Sequence, residues 1–337
     1  MGKRRRRRVK REETAGIPNW VHLIILLLIV GLVAFMAFRL WKWNKGTDSV
    51  YDPTEDTSEF DIEVLDQVFI LSPDKLEGHE DDGVDTILFL GNDAITYDTT
   101  ETGLVSQIQQ LTGATVYNAG FPGSYVSMKN ATVQSDYTDD LYSFYNVTQS
   151  IVNDDYSALI EDSQSRSDYQ YYTSATTLES LDFNTVDTLV IMYDANDYLG
   201  LRTGMNPDND VDPQTYMGSF KAGIQAIQEK YPFIRIVLMS FTFCYGYDSD
   251  GNLVNGGKYD YGNGSLPTYF QHAMDVAGDT GVSFIDNYYG TVTQSNTSEY
   301  LLDNIHVNQE CNAYIANHFV EQIYPDALSS GNISTEE

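Results

Sequence analysis

The stretch Thr86–Thr96, TILFLGNDAIT, constrains this chain more than any other. Ile87, Leu88, Phe89 and Leu90 run apolar without alternation, so a strand here has no face to give to water. Such a strand belongs in the middle of a parallel sheet covered by helices on both sides. It breaks at Gly91 into a polar turn. In open α/β sheets, ligands sit outside the carboxyl ends of the strands, so this turn is where a site is expected.

From Val84 onward the chain repeats the plan. Further short apolar runs predict strands at Ala114–Tyr117, Thr188–Met192, Ile234–Met239 and Val282–Ile285. Helical spacing predicts helices at Glu101–Leu111, closed by Gly113, and at Pro267–Ala277 and Gln309–Ile323. Another is expected from Asp212 as N-cap, with Pro213 first inside, to about Lys230. Residues 125–185 are polar and Tyr-rich, with helical fragments expected around Leu141–Val152 and Tyr156–Asp162. Residues 241–265 read as a Gly/Asp/Tyr loop. Five strands alternating with helices imply right-handed crossovers and a mostly parallel, doubly wound sheet.

The amino-terminal part has a different character. Lys3–Arg11 is a basic block, and Ile17–Phe38 is apolar apart from Asn19 and His22. Its 22 residues would span about 33 Å as a helix, enough for a hydrocarbon core of about 30 Å. Trp20 and Trp41 stand at its ends, as interfacial aromatics do. A cleaved signal peptide would have a shorter apolar region and a small-residue cleavage site, so an uncleaved anchor is expected. The basic block precedes the span, which predicts a cytoplasmic amino terminus and an exported domain. The expected organisation is a basic cytoplasmic tail (1–16), a transmembrane anchor (17–41), an acidic tether (42–83), the folded domain (84–327) and a tail (328–337). Within the tether, Gln67–Leu71 is the one apolar patch, suited to pack on the domain or add an edge strand. His79 stands among acidic residues and reads more readily as solvated than as a metal ligand.

Charge divides the chain in the same place. The net −30 combines +9 over residues 1–45 with −39 over the remainder. A surface that acidic repels nucleic acid beyond a Debye length of about 8 Å, so nucleic acid is not expected as a partner. The membrane is expected as one partner, and no cofactor is expected.

Three later segments are placed to meet the turn after the first strand. Asp303-Asn304-Ile305-His306 precedes the last helix, and a carboxylate three residues before a histidine can hold one ring nitrogen and leave the other as a base. Taken alone, D-x-x-H is more often a structural pair. Asn118–Gly123 follows the second strand and carries two glycines that free backbone N–H groups for a ligand; a tight turn explains them equally well. Asp194-Ala195-Asn196-Asp197 follows the third strand, and Asn196 can aim its amide into the same crevice or simply cap a loop. A backbone N–H and an amide converging on one point are what an oxyanion hole needs.

Taken together, these segments resemble the SGNH (GDSL-type) hydrolases over about residues 84–325. That family has G-D-S after the first strand, then an oxyanion glycine, an oxyanion asparagine in G-x-N-D, and D-x-x-H. Gly123 matches the glycine, Asn196 the asparagine (with Asp194 in place of the usual glycine), and Asp303 and His306 the last pair. The resemblance implies a flavodoxin-like three-layer α/β sandwich with a five-stranded parallel sheet in the order 2-1-3-4-5. It also implies a lineage of esterases, lipases and carbohydrate O-acetyl esterases or transferases.

The first block departs from the pattern. Aligned without a gap, GNDAIT puts Asp93 at the serine; shifted by one residue, it puts Ala94 there. Neither offers a hydroxyl. Thr96, Ser124 and Ser127 are the nearest alternatives. The expected catalytic set is thus His306, Asp303 and Asp93, with Gly123 and Asn196 as the oxyanion hole. Two functions remain open: ester processing or O-acyl transfer on extracellular glycan or lipid with an unorthodox nucleophile, or binding of acylated glycan or an acyltransferase partner without turnover. Asp208, Asp210 and Asp212 hint at calcium but lack the glutamate that closes an EF-hand loop. Cys244 and Cys311 suit either one disulfide or two buried thiols.

Overall fold

The structure is a computed structural model that describes residues 29–36 and 65–330. The chain divides into two units, Met1–Asp61 and Ile62–Glu337. In the first, residues 29–36 form a helix; the rest of the expected anchor, the basic block and the start of the tether lie outside the described residues. Among the described residues, no helix is long and apolar enough to cross a membrane.

The second unit is built on the expected sheet. Its strands are β1 (Thr86–Gly91), β2 (Thr115–Asn118), β3 (Thr188–Met192), β4 (Arg235–Met239), β5 (Tyr245–Tyr247), β6 (Leu253–Asn255) and β7 (Ser283–Ile285). Five are parallel in the order β2-β1-β3-β4-β7. β1 and β3 are buried at every position, which is why their sequences lack alternation. The order steps outward from β1 in both directions, so right-handed crossovers send the connecting helices to opposite faces. Leu104–Thr112 packs with Gln309–Ile323 in one layer; Tyr216–Lys230 packs between Phe144–Asn153 and Leu266–Thr280 in the other. Phe319 meets Phe89 of β1 from the first layer, while Phe144 and Phe220 close on Tyr193, just past β3, from the second.

Several expectations shift. The helix expected from Asp212 begins at Tyr216, because Thr215 caps it through Gly218 N–H and Asp212 instead closes the turn before it. A further helix, Gln170–Ser180, lies in the polar stretch. The loop at 241–265 contains the hairpin β5–β6, whose turn is tied by Asp248 accepting from Asp250 and Asn252. Gln67 bridges to Phe284 at the β7 edge, and Asp66 holds His318 at 2.7 Å, so the apolar patch of the tether does join the sheet. His79 stacks on Phe233. Asp210 pairs with Lys221, and Asp212 accepts from Asn206, so the acidic triplet forms no shared loop site. Cys244 and Cys311 are buried free thiols.

Candidate active site

β1 ends where it must approach β3 closely. A Cβ on Gly91 would lie 2.0 Å from the Met192 carbonyl oxygen, so only glycine fits. Asn92 follows, fully buried. Its Oδ1 accepts from the N–H groups of Ala94 (3.2 Å) and Asp194 (2.9 Å). Its Nδ2 donates to the Ser124 carbonyl (3.0 Å) and to Asp194 Oδ1 (2.7 Å). One amide thereby joins the turns after β1, β2 and β3. An aspartate here, as in the family pattern, has nothing to donate to Asp194; the asparagine suits the carboxylate that stands in place of the usual glycine.

Asp93 is the first residue of the short helix Asp93–Thr96, and both it and Ala94 line the cleft, Ala94 also packing partly against the core. Of the two residues that the alternative alignments put at the serine position, Asp93 alone brings a polar side chain to the cleft. Asp93 Oδ2 accepts the Gly123 N–H at 2.6 Å. Gly123 has φ +66°, the left-handed conformation that favours glycine. The expected oxyanion donor thus already holds an anion belonging to the protein.

The Asp303/His306 pair forms as expected. His306 Nδ1 and Asp303 Oδ2 are 2.6 Å apart, and Asp303 Oδ1 also accepts the N–H groups of Ile305 and His306. Burial pushes the Asp303 carboxyl up, but the hydrogen bonds from the His306 ring and these backbone groups outweigh it and leave the carboxyl below its usual value. Asn304 exchanges hydrogen bonds with the Tyr245 backbone, which pins the loop to β5. Tyr97 stacks on the imidazole at 3.9 Å between ring centres.

The third block places its residues differently from the expectation. Asn196 opens the helix Asn196–Leu199, and its backbone N–H donates to Asp194 Oδ1. The cleft walls include Asp93, Ala94, Tyr97, Asp194, Thr242 and His306; Asn196 is not among them. Asp194 is 7% exposed, and burial first, with the nearby Asp93 charge second, pushes its carboxyl up to about 8. Its Oδ2 has no hydrogen-bond partner. Asp197 instead accepts from Val126 and Ser127 and fixes the loop after β2.

None of the alternative hydroxyls from the sequence lines the cleft. Thr96 Oγ1 donates to the Asn92 carbonyl, Ser127 Oγ to Asp197, and Ser124 is buried. The cleft hydroxyls are those of Tyr97 and Thr242, which sequence reasoning missed. The signal for Thr242 was its place just past an apolar strand. The signal for Asp194 was a charged residue where the motif has glycine.

No family model matches the chain, and no curated protein matches it. Solved structures do. One crystal structure aligns with a TM-score of 0.51 at 16% identity, over 72% of this chain and 97% of its own. A possible lipase from Chitinophaga pinensis aligns at 0.48 and 13%, over 72% and 99%. A candidate SGNH hydrolase from Slackia heliotrinireducens aligns at 0.41 and 13%, over 71% and 98%. The sheet order found here, β2-β1-β3-β4-β7, is the one that the resemblance to the SGNH (GDSL-type) hydrolases implies. At these identities the likeness concerns the fold alone; the chemistry has to be argued from the cleft.

Proposed function

We propose that this chain is a single-pass, exported membrane protein whose SGNH-like domain binds small acyl esters, such as those of acylated surface glycan, without hydrolysing them through a serine. The observation that carries this reading is the Asp93 carboxylate on the Gly123 N–H at 2.6 Å. Attack by a carboxylate on an ester gives an anhydride, and an ionised carboxylate has no proton for His306 to remove. With no cation on it, that carboxylate also puts negative charge where an oxyanion would develop. Two unit charges about 4 Å apart repel by about 4 kcal/mol at an effective dielectric of about 20, on the order of a thousandfold in rate.

The size of the cleft limits the ligand. It has about 30 Å³ of water-sized space, room for about two waters on the scale where one needs about 10–15 Å³. Apolar walls from Leu104, Met192, Phe241 and Val307 flank the carboxylates. This suits an acetyl-sized group better than a long acyl chain. Export rests on the basic block ahead of the apolar run, and protease added to intact cells is expected to remove the domain while sparing the amino terminus.

The test is hydrolysis of a short-chain acyl ester by the full chain. No turnover dependent on His306 is expected. Robust turnover lost in His306→Ala overturns the reading. Thr242, an aliphatic hydroxyl on the cleft wall, supports the rival enzyme reading, and loss of such turnover in Thr242→Val would assign it as nucleophile.

A further inference from the structure

Three elements bring metal-binding side chains to one point of the cleft. Asp93 comes from the turn after β1, Asp194 from the turn after β3, and His306 from the loop before Gln309–Ile323. One ligand atom from each lies within 4.8 Å of the others. Around an octahedral ion with oxygen and nitrogen ligands at about 2.1–2.4 Å, adjacent ligands sit about 3 Å apart and opposite ones about 4.8 Å. The three separations are thus within the span of one ion's ligands.

Each side chain also has the outer partner that orients a metal ligand. Gly123 N–H holds Asp93. Asn92 Nδ2 and Asn196 N–H hold Asp194 Oδ1. Asp303 holds His306 Nδ1, which leaves Nε2 as the nitrogen for an ion. A carboxylate behind a ligating histidine is the common arrangement in metal sites.

Asp194 provides an independent sign. It lines the cleft, is 7% exposed, and its Oδ2 is buried with no hydrogen-bond partner. A buried carboxylate oxygen without a donor is costly unless a proton or cation meets it. No Lys or Arg lines the cleft to supply that cation.

We propose that Asp93, Asp194 and His306 together bind one divalent cation. Two carboxylates and one imidazole make a mixed oxygen and nitrogen set, which suits Mn²⁺ or Zn²⁺ better than Mg²⁺, Ca²⁺ or a thiolate-seeking ion. Three protein ligands leave a coordination position toward the cleft for water or an acyl oxygen. The inference rests on the reading above only in taking the Asp93 carboxylate as the occupant of the first block.

The experiment is Mn²⁺ binding to the full chain at physiological salt, by equilibrium dialysis and pulsed EPR, without any ester present. One Mn²⁺ per chain is expected to bind above the non-specific level set by the acidic surface, with nitrogen coupling from an imidazole, and Zn²⁺ should displace it. His306→Gln should abolish the coupling and weaken binding at least tenfold; its ring is partly exposed, so the variant is expected to fold. Asp194→Asn should weaken binding similarly. Asp303→Asn, which acts through His306, should keep the coupling and weaken binding about tenfold or more. Asp248→Asn, outside the cleft, should change neither. Wild-type Mn²⁺ without nitrogen coupling, or binding indifferent to His306→Gln, overturns the site. Ester turnover is measured separately, so either reading can fail without the other.

Discussion

Replacing Asp93 by serine should turn the cleft into a serine esterase. The substitution does three things at once. It puts a hydroxyl where the ungapped first block places a nucleophile. It releases the Gly123 N–H from the carboxylate that holds it at 2.6 Å. It removes a negative charge from the place where an oxyanion forms. One recovered oxyanion donor corresponds to about 10²–10³ in rate. Removing the Asp93 charge adds up to about 10³. A nucleophile acting with its histidine is worth on the order of 10⁶ in a protease, though these effects overlap and do not multiply. Asp194 remains beside the site; the variant removes the Asp93 charge that helps to raise its carboxyl, but burial, the larger cause, still pushes it up. A gain of at least about 10² over wild type is therefore expected for a short-chain acyl ester at pH 7. The gain should vanish in Asp93→Ser/His306→Ala. Ala94→Ser should gain nothing, because Asp93 still occupies the Gly123 N–H. Activity in Ala94→Ser with none in Asp93→Ser would refute the register and the argument built on it.

Two further outcomes follow from neighbouring contacts. Asn92→Asp loses two donated hydrogen bonds in a fully buried position and faces the Asp194 carboxylate, so stability should fall by about 3 kcal/mol or more; an unchanged melting temperature would contradict the three-turn junction. The hydrogen bond that the ring donates to Asp66 raises the His318 pKa above its usual 6.5, against burial, with Asp286 and Glu321 adding to the rise. A raised histidine pKa contributes stability that is full below the unfolded value and is lost as pH rises through the folded one. Amide exchange at Gln67 and Phe69, which bond to Phe284 and Ser283, should therefore accelerate above pH 6.5 beyond the intrinsic rate. His318→Gln should abolish that extra acceleration, and its persistence would sink the assignment.

The central sheet was legible because its physics is local. A strand buried on both faces cannot alternate, and β1, β3 and β4 announced themselves as short apolar runs. Gly113 also closes its helix in the left-handed conformation, as its position predicted. The helix Gln170–Ser180 escaped notice because Thr, Ser and Tyr dominate it and few of its residues are buried. Tertiary contacts hold it, with Tyr171 and Ser174 donating to the Pro122 and Gly120 carbonyls. The start at Tyr216 was missed because Asp212-Pro213 has the chemistry of a helix start. Its carbonyls are instead used by the preceding turn and by Met128 N–H. In the cleft, the D-x-x-H pair was readable from three-residue spacing. The placing of Asp194, rather than Asn196, on the cleft wall was not, since Asp194 is held by a hydrogen bond from Asn92 across 102 residues.

The most direct test of the account is the Gly123 amide itself. In glycine-labelled wild-type protein, a 2.6 Å hydrogen bond to a carboxylate should give a strongly downfield amide proton that exchanges slowly. In Asp93→Ser that resonance should move upfield and exchange faster, with the other glycine signals little changed. An ordinary Gly123 shift in the wild type, indifferent to Asp93→Ser, would mean that the carboxylate does not occupy the oxyanion donor, and the closed serine route would lose its physical basis.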